Sequence, residues 1–173
     1  MGKMILVGGP NGSGKSAYAE AIIRRTTGPR YYIATLMPVG DGDQARIEKH
    51  RRQRQDMAFT TLELPYDLDQ AEIPPDGVVL LEDASNLLGN GMFCHSAQME
   101  QVLAQIEHLS KRCALLVVVT IEGLEEGAYQ GETAAYIAGL NALNRHLAQQ
   151  AQVVVEMQRG EPVLRKGALH VAD

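Results

Sequence analysis

The chain has 173 residues, of which 45% are hydrophobic and 21% charged, and carries a formal net charge of −5. That suits one domain spanning 1–173 with a sizeable core, and the acidic balance argues against broad nucleic-acid binding. No apolar run approaches the roughly twenty residues needed to cross a bilayer. The amino end runs straight into an apolar strand, so no signal peptide is expected. Cys94 and Cys113 show no metal-ligand spacing, so reduced thiols in the cytoplasm are expected.

In chain order, Met4-Ile5-Leu6-Val7 reads as a strand, followed by Gly9-Pro10-Asn11-Gly12-Ser13-Gly14-Lys15-Ser16 and then a helix from Lys15 to about Thr26. Strand, glycine-rich loop and helix in that order, with Gly-x-x-x-x-Gly-Lys-Ser spacing, predict a phosphate-binding P-loop. Glycines let successive N–H groups turn inward on phosphate oxygens, and the helix dipole favours the same anion. In that setting Lys15 neutralises β and γ oxygens, while Ser16 completes a Mg2+ shell. A nucleoside-triphosphate site is therefore expected. The bland reading is a glycine-rich turn with a chance Lys-Ser.

The helix buries Ala19, Ile22 and Ile23 and is expected to end before Gly28-Pro29. Residues Arg30–Thr35 read as a strand, followed by a turn through Pro38, Gly40 and Gly42 and a polar helix from about Asp43 to Met57. Phe59–Glu63 is the next strand, and Val78–Asp83, after Pro74-Pro75-Asp76-Gly77, is a buried one ending in carboxylates. Met99, Val102, Leu103, Ile106 and Leu109 recur at helical spacing within Gln98–Lys111, and Ala114–Thr120 is a continuous apolar strand. Glu122–Gly131 is a loop, and Glu132–Gln150 a helix with Tyr136, Leu140, Leu143 and Leu147 on one side. Val153–Glu156 and Pro162–Arg165 close the chain as a strand pair around Arg159-Gly160. Strands alternating with helices predict an α/β, doubly wound, mostly parallel sheet of P-loop NTPase (RecA-like) architecture, with a carboxy-terminal strand pair.

Two further groups carry chemistry. Four apolar residues followed by Glu82-Asp83 resemble a Walker B element, whose carboxylate holds the metal ion from a strand's carboxyl end. Glu82 is preferred over Asp83 for that role; an ordinary surface carboxylate is the alternative. Ser85 and Asn90 either bind ligand from the following loop or cap a helix. Second, Arg46, Lys49, His50, Arg51, Arg52 and Arg54 crowd into one short segment of an otherwise acidic chain. On a helix Arg46, His50 and Arg54 share one face at i, i+4 steps. A neutral imidazole there can attack an α-phosphorus while guanidinium groups stabilise the developing charge, and the same cations lower the histidine pKa. From the residue pattern alone, a solvated basic helix with an incidental histidine is the favoured reading. The other histidines, His95, His108, His146 and His170, have no comparable surroundings.

Taken together, these residues resemble the bifunctional adenosylcobinamide kinase / adenosylcobinamide-phosphate guanylyltransferase family of cobalamin biosynthesis. The resemblance rests on Ile5-Leu6-Val7 with its P-loop, Tyr32-Ile33-Ala34-Thr35, Ala45-Arg46-Ile47 followed by His50, then Arg54, Thr61-Leu62-Glu63, Leu80-Leu81-Glu82 and Asn90. The tyrosine-isoleucine-alanine-threonine strand and the arginine-isoleucine-x-x-histidine helix are its discriminating parts. It implies that His50 is the residue that becomes guanylylated, with Lys15 and Ser16 in the P-loop and Glu82 at the strand end. It also implies phosphorylation of adenosylcobinamide by ATP or GTP, then transfer of GMP from GTP to adenosylcobinamide phosphate, in a homotrimer that brings the histidine helix of one subunit near another's P-loop. The chain departs from the family at Pro10 and Gly12 in the P-loop. It departs again at Phe59, where a tryptophan is common, at Asp83 and Ser85, and across Thr120–Gly127, which replaces an asparagine-glutamate-valine-glycine loop.

Two other readings follow from the residues alone. One is a P-loop kinase for another small hydroxylated metabolite, with the basic helix as an anion clamp. The other is a nucleotide-controlled binding module without small-molecule transfer.

Overall fold

Successive side chains of a strand point to opposite faces, and here that alternation sorts the apolar residues into two layers. Met4, Leu6, Ile33, Val79, Leu81, Leu116, Val118 and Val154 belong to one cluster; Ile5, Val7, Tyr32, Val78, Leu80, Val117, Val119, Val153 and Val155 belong to the other. Each fully buried Leu, Ile or Val contributes about 1.5–3 kcal/mol relative to exposure, so both faces of the sheet demand cover. The computed structural model describes residues 2–37 and 41–169, and for residues 41–43, 50, 53 and 54 the backbone only. Pro38 and Gly40 of the expected turn, and His170, lie outside the described residues.

The strands are β1 (Lys3–Gly9), β2 (Arg30–Ala34), β3 (Phe59–Glu63), β4 (Val78–Glu82), β5 (Leu115–Ile121), β6 (Val153–Gln158) and β7 (Glu161–Lys166). They form one seven-stranded sheet in the order β3-β2-β4-β5-β1-β6-β7. All neighbouring pairs are parallel except β6 with β7. The helices are α1 (Lys15–Arg24), α2 (Asp41–Arg54), α3 (Ala84–Cys94), α4 (Met99–Arg112) and α5 (Gly131–Gln150). The expected α/β sheet with a closing antiparallel strand pair is what the molecule has.

Handedness explains which helix covers which face. The chain steps from β1 out to β2 in one direction along the sheet, then from β4 to β5 and from β5 to β6 in the other. Right-handed crossovers therefore put α1 on one side and α3, α4 and α5 on the opposite side. Ala19, Ile22 and Ile23 of α1 accordingly pack with Ile5 and Val117. Leu87, Val102, Ile106, Leu109, Leu140, Leu143 and Leu147 pack with Leu6 and Leu116. The reversal of direction beside β1 opens a crevice at the carboxyl edge of the sheet, where ligands of such folds bind.

Two elements differ from expectation. The first helix stops at Arg24, earlier than Thr26. There Arg30 donates to the carbonyls of Arg24 (3.2 Å), Thr26 (3.1 Å) and Met57 (3.0 Å), satisfying acceptors at the helix end with a cation, the sign the dipole favours. The second is α3, a helix over a stretch that the sequence leaves open as a loop or a capped helix. Asp83 caps it by accepting from Asn86 N at 2.7 Å.

Candidate active site

The P-loop leaves β1 at Gly9 and enters α1 at Lys15. Gly14 (φ 89°), a glycine position of the motif, and Gly12 (φ 72°), at one of its variable positions, are both in the left-handed region, where a side chain is disfavoured. Ser13 N donates to Pro10 O (3.3 Å), tightening the loop, and Tyr18 N donates to Gly14 O (3.0 Å), starting the helix. Lys15 is 8% exposed, and its Nζ lies 3.3 Å from Pro10 O, so the ammonium is held over the loop. The Ser13 hydroxyl, buried beneath the loop, has no hydrogen-bond partner among the described residues.

Ser16, on the first turn of α1, donates its hydroxyl to Glu82 Oε1, joining the P-loop helix to the end of β4. The alternation of β4 places Glu82 with Val78 and Leu80 on the α1 side of the sheet, which is why this carboxylate meets Ser16. Asp83 is turned to the α3 cap instead. Burial pushes the Asp83 carboxyl up to about 6; the Glu82 charge adds to the rise, while the Asn86 and Ser85 amides and the Lys15 ammonium oppose it. A serine hydroxyl and a carboxylate side by side are hard oxygen donors suited to Mg2+. Together with the loop N–H groups and Lys15, they can hold a polyphosphate and its metal ion.

The carboxyl edge is tied together by polar side chains that the sequence reading treats as ligand candidates or does not single out. Buried Thr35, just past β2, bonds Glu82 O (2.9 Å) through Oγ1, which also accepts from Asp83 N (2.8 Å). Asn90 donates to Thr35 O and Pro65 O, each at 2.8 Å, binding α3 to the exits of β2 and β3. Ser85 Oγ accepts from Ile121 N (2.8 Å) and lies 3.4 Å from Thr120 Oγ1, which donates to Asn144 Oδ1 (2.6 Å). Ser85 and Asn90 thus act in this structure as ties between elements. Only the short spacing of Asp83 to Asn86 was readable locally; the other bonds join residues far apart in the chain.

The basic segment is helical as expected: α2 carries Arg46, His50 and Arg54 at successive i, i+4 positions. The side chains of His50 and Arg54 lie outside the described residues, and Arg46 is exposed. Arg51 pairs with Glu63 at the end of β3 and with Glu48 (3.5 Å), holding α2 to the sheet edge. Between them is a cleft of about 360 Å³ lined by Gln44, Ile47 and Arg51 of α2, Ala34 and Leu36, and Thr61, Glu63 and Pro65. His50 is in the turn between Ile47 and Arg51, two residues that line it.

Among the described residues no helix is long and apolar enough to cross a membrane. A comparison with the curated proteins finds no match. A family model described as cobinamide kinase / cobinamide phosphate guanyltransferase matches residues 5–164, nearly the whole chain and including the P-loop, α2, β6 and the first part of β7. The chain therefore belongs to the cobinamide kinase / cobinamide phosphate guanyltransferase family, transferases of cobalamin biosynthesis that use ATP and GTP.

Proposed function

We propose that this cytoplasmic protein carries out both family reactions, and that GMP passes through a covalent adduct on His50. The carrying observation is the meeting of Ser16 and Glu82 beneath the P-loop, at the same sheet edge as the cleft beside α2. In the first reaction the P-loop residues Gly9, Pro10, Asn11, Gly12, Ser13, Gly14, Lys15 and Ser16 hold the donor triphosphate. The adenosylcobinamide hydroxyl oxygen attacks the γ-phosphorus, the bond to the β-bridging oxygen breaks, and the hydroxyl proton leaves to solvent. Ser16 and Glu82 would hold Mg2+, which supplies charge neutralisation between the β and γ oxygens when bound. Lys15 neutralises the same oxygens directly.

In the second reaction an imidazole nitrogen of His50 attacks the α-phosphorus of GTP and pyrophosphate leaves. A phosphate oxygen of adenosylcobinamide phosphate then attacks that phosphorus, expelling His50 and giving adenosylcobinamide-GDP. Arg46 and Arg54, one turn on either side of His50 along α2, stabilise the charge on the α-phosphate oxygens. A homotrimer that brings α2 of one subunit to another's P-loop would complete the site, and the whole chain acts as a single nucleotide-binding domain.

The test is incubation with α-labelled GTP followed by mass analysis. Wild-type protein is expected to gain about 345 Da on His50, the mass of a GMP adduct, and His50→Ala to remain unlabelled. Acid-labile label persisting on His50→Ala would sink the assignment. With adenosylcobinamide present, formation of the phosphorylated product without the GDP-linked one would reduce the protein to a kinase.

A further inference from the structure

The geometry points to Arg159, at the tip of the β6–β7 hairpin, as the residue that stacks on the purine base of the P-loop nucleotide. The inference rests on the reading of the P-loop as a triphosphate site and assigns the other end of the same ligand.

Three observations carry it. First, the hairpin tip is docked on the P-loop. Gly160 N donates to Ser13 O at 3.2 Å, and a Cβ built on Gly14 would lie 3.7 Å from Gly160 Cα and from Met157 Cε. A residue at this tip therefore stands beside whatever the loop holds. Second, the sheet order gives the ligand a direction. β1 lies between β5 and β6, and Glu82 is on β4, beyond β5. Ser16 and Glu82 mark the metal end, where β and γ oxygens sit. The α-phosphate and nucleoside then extend the other way, toward β6 and its hairpin.

Third, Arg159 is an unusual residue for its place. Arg159 (φ 51°) and Gly160 (φ 82°) are the two central residues of a hairpin loop with both φ positive, a conformation usually given to Asn-Gly or Asp-Gly. Arginine in the left-handed region is disfavoured, and such outliers gather at ligand sites. The side chain is exposed and has no hydrogen bond or ion pair among the described residues. A guanidinium plane free of other partners, carried on a rigid two-residue turn, is well suited to lie on a flat aromatic base.

The informative substitution is Arg159→Asn, which removes the guanidinium while giving the turn its preferred Asn-Gly sequence. Binding of GTP and of inorganic tripolyphosphate is measured by calorimetry for wild type, Arg159→Asn and Arg159→Lys. The expected result is a Kd for GTP raised about five- to tenfold in Arg159→Asn, on the scale of one cation–π contact, with tripolyphosphate affinity unchanged. Arg159→Lys should recover little, because it keeps the charge and loses the plane. GTP affinity unchanged in Arg159→Asn overturns the inference. So does an equal weakening of GTP and tripolyphosphate, which makes Arg159 a phosphate contact, or full recovery in Arg159→Lys. Wild-type protein that binds neither ligand would instead defeat the P-loop reading on which the inference stands.

Discussion

Glu122 stands at the tip of β5 with its carboxylate against the backbone of β1: a Cβ built on Gly8 would be 2.3 Å from Oε1. Burial raises its pKa, the Glu156 carboxylate raises it further, and Arg165 pulls the other way while bonded to Glu156 at 2.7 Å. For an acid whose folded pKa is raised, the folded state binds the proton more tightly than the unfolded one. Its penalty is absent at pH values below the unfolded pKa and grows as pH rises through the folded one. Glu122→Gln removes the ionisation and keeps the shape. The variant is expected to be more stable than wild type at pH 7, with the gap closing toward pH 4, read from urea midpoints at the two values. A variant less stable at pH 7 would mean that attraction to Arg165 outweighs the desolvation, and a gap independent of pH would mean that folding leaves the Glu122 ionisation unchanged. The carboxylate itself was visible in the sequence. Its environment was not, since it is set by β1 and β6, which reach Glu122 only through the sheet.

At the scale of elements, the P-loop and the amphipathic helices were legible because their signals are local. Val102, Ile106 and Leu109 repeat with the helical period, and Lys15-Ser16 follow their glycines within one turn of chain. Helix α3 was not, because Gly89 and Gly91 break its pattern. The structure gives Gly91 a packing reason and leaves Gly89 ordinary contact room. A Cβ on Gly91 would come within 2.8 Å of the Tyr66 ring, and one on Gly89 within 3.6 Å of Tyr136. The helix is therefore favoured by what it packs against more than by its own propensity. Asn90 is the tie that matters most for the site, since its amide holds the carbonyls at the exits of β2 and β3 together. Asn90→Ala leaves both acceptors unsatisfied and is expected to destabilise the protein by about 2 kcal/mol, or about 4–8 °C in Tm at this chain length. A melting temperature within a degree of wild type would show that water replaces the amide at no cost.

For the whole molecule, the proposed site is assembled from segments that meet only when the sheet is closed: the loop after β1, the end of β4 and, on the inference above, the hairpin between β6 and β7. The unfolded chain has no such cradle, so a nucleotide held at the proposed site would bind the folded state alone and stabilise it by mass action. At a free concentration one hundred times its Kd, a nucleotide adds about 2.7 kcal/mol, which at this length corresponds to about 5–10 °C in Tm. Lys15 is the test of whether the P-loop is the source of that stabilisation. The residue is buried and its ammonium donates to Pro10 O and acts at longer range on Asp83, so Lys15→Met keeps most of the packing and discards the charge. The variant should melt near the wild-type temperature without ligand and lose most of the shift produced by GTP or ATP with Mg2+. A ligand-free Tm well below wild type would assign Lys15 a structural role in the loop. An undiminished shift would place the nucleotide elsewhere on the molecule, and the cleft beside α2, with Arg51 and Gln44 in its wall, would then be the surface to mutate.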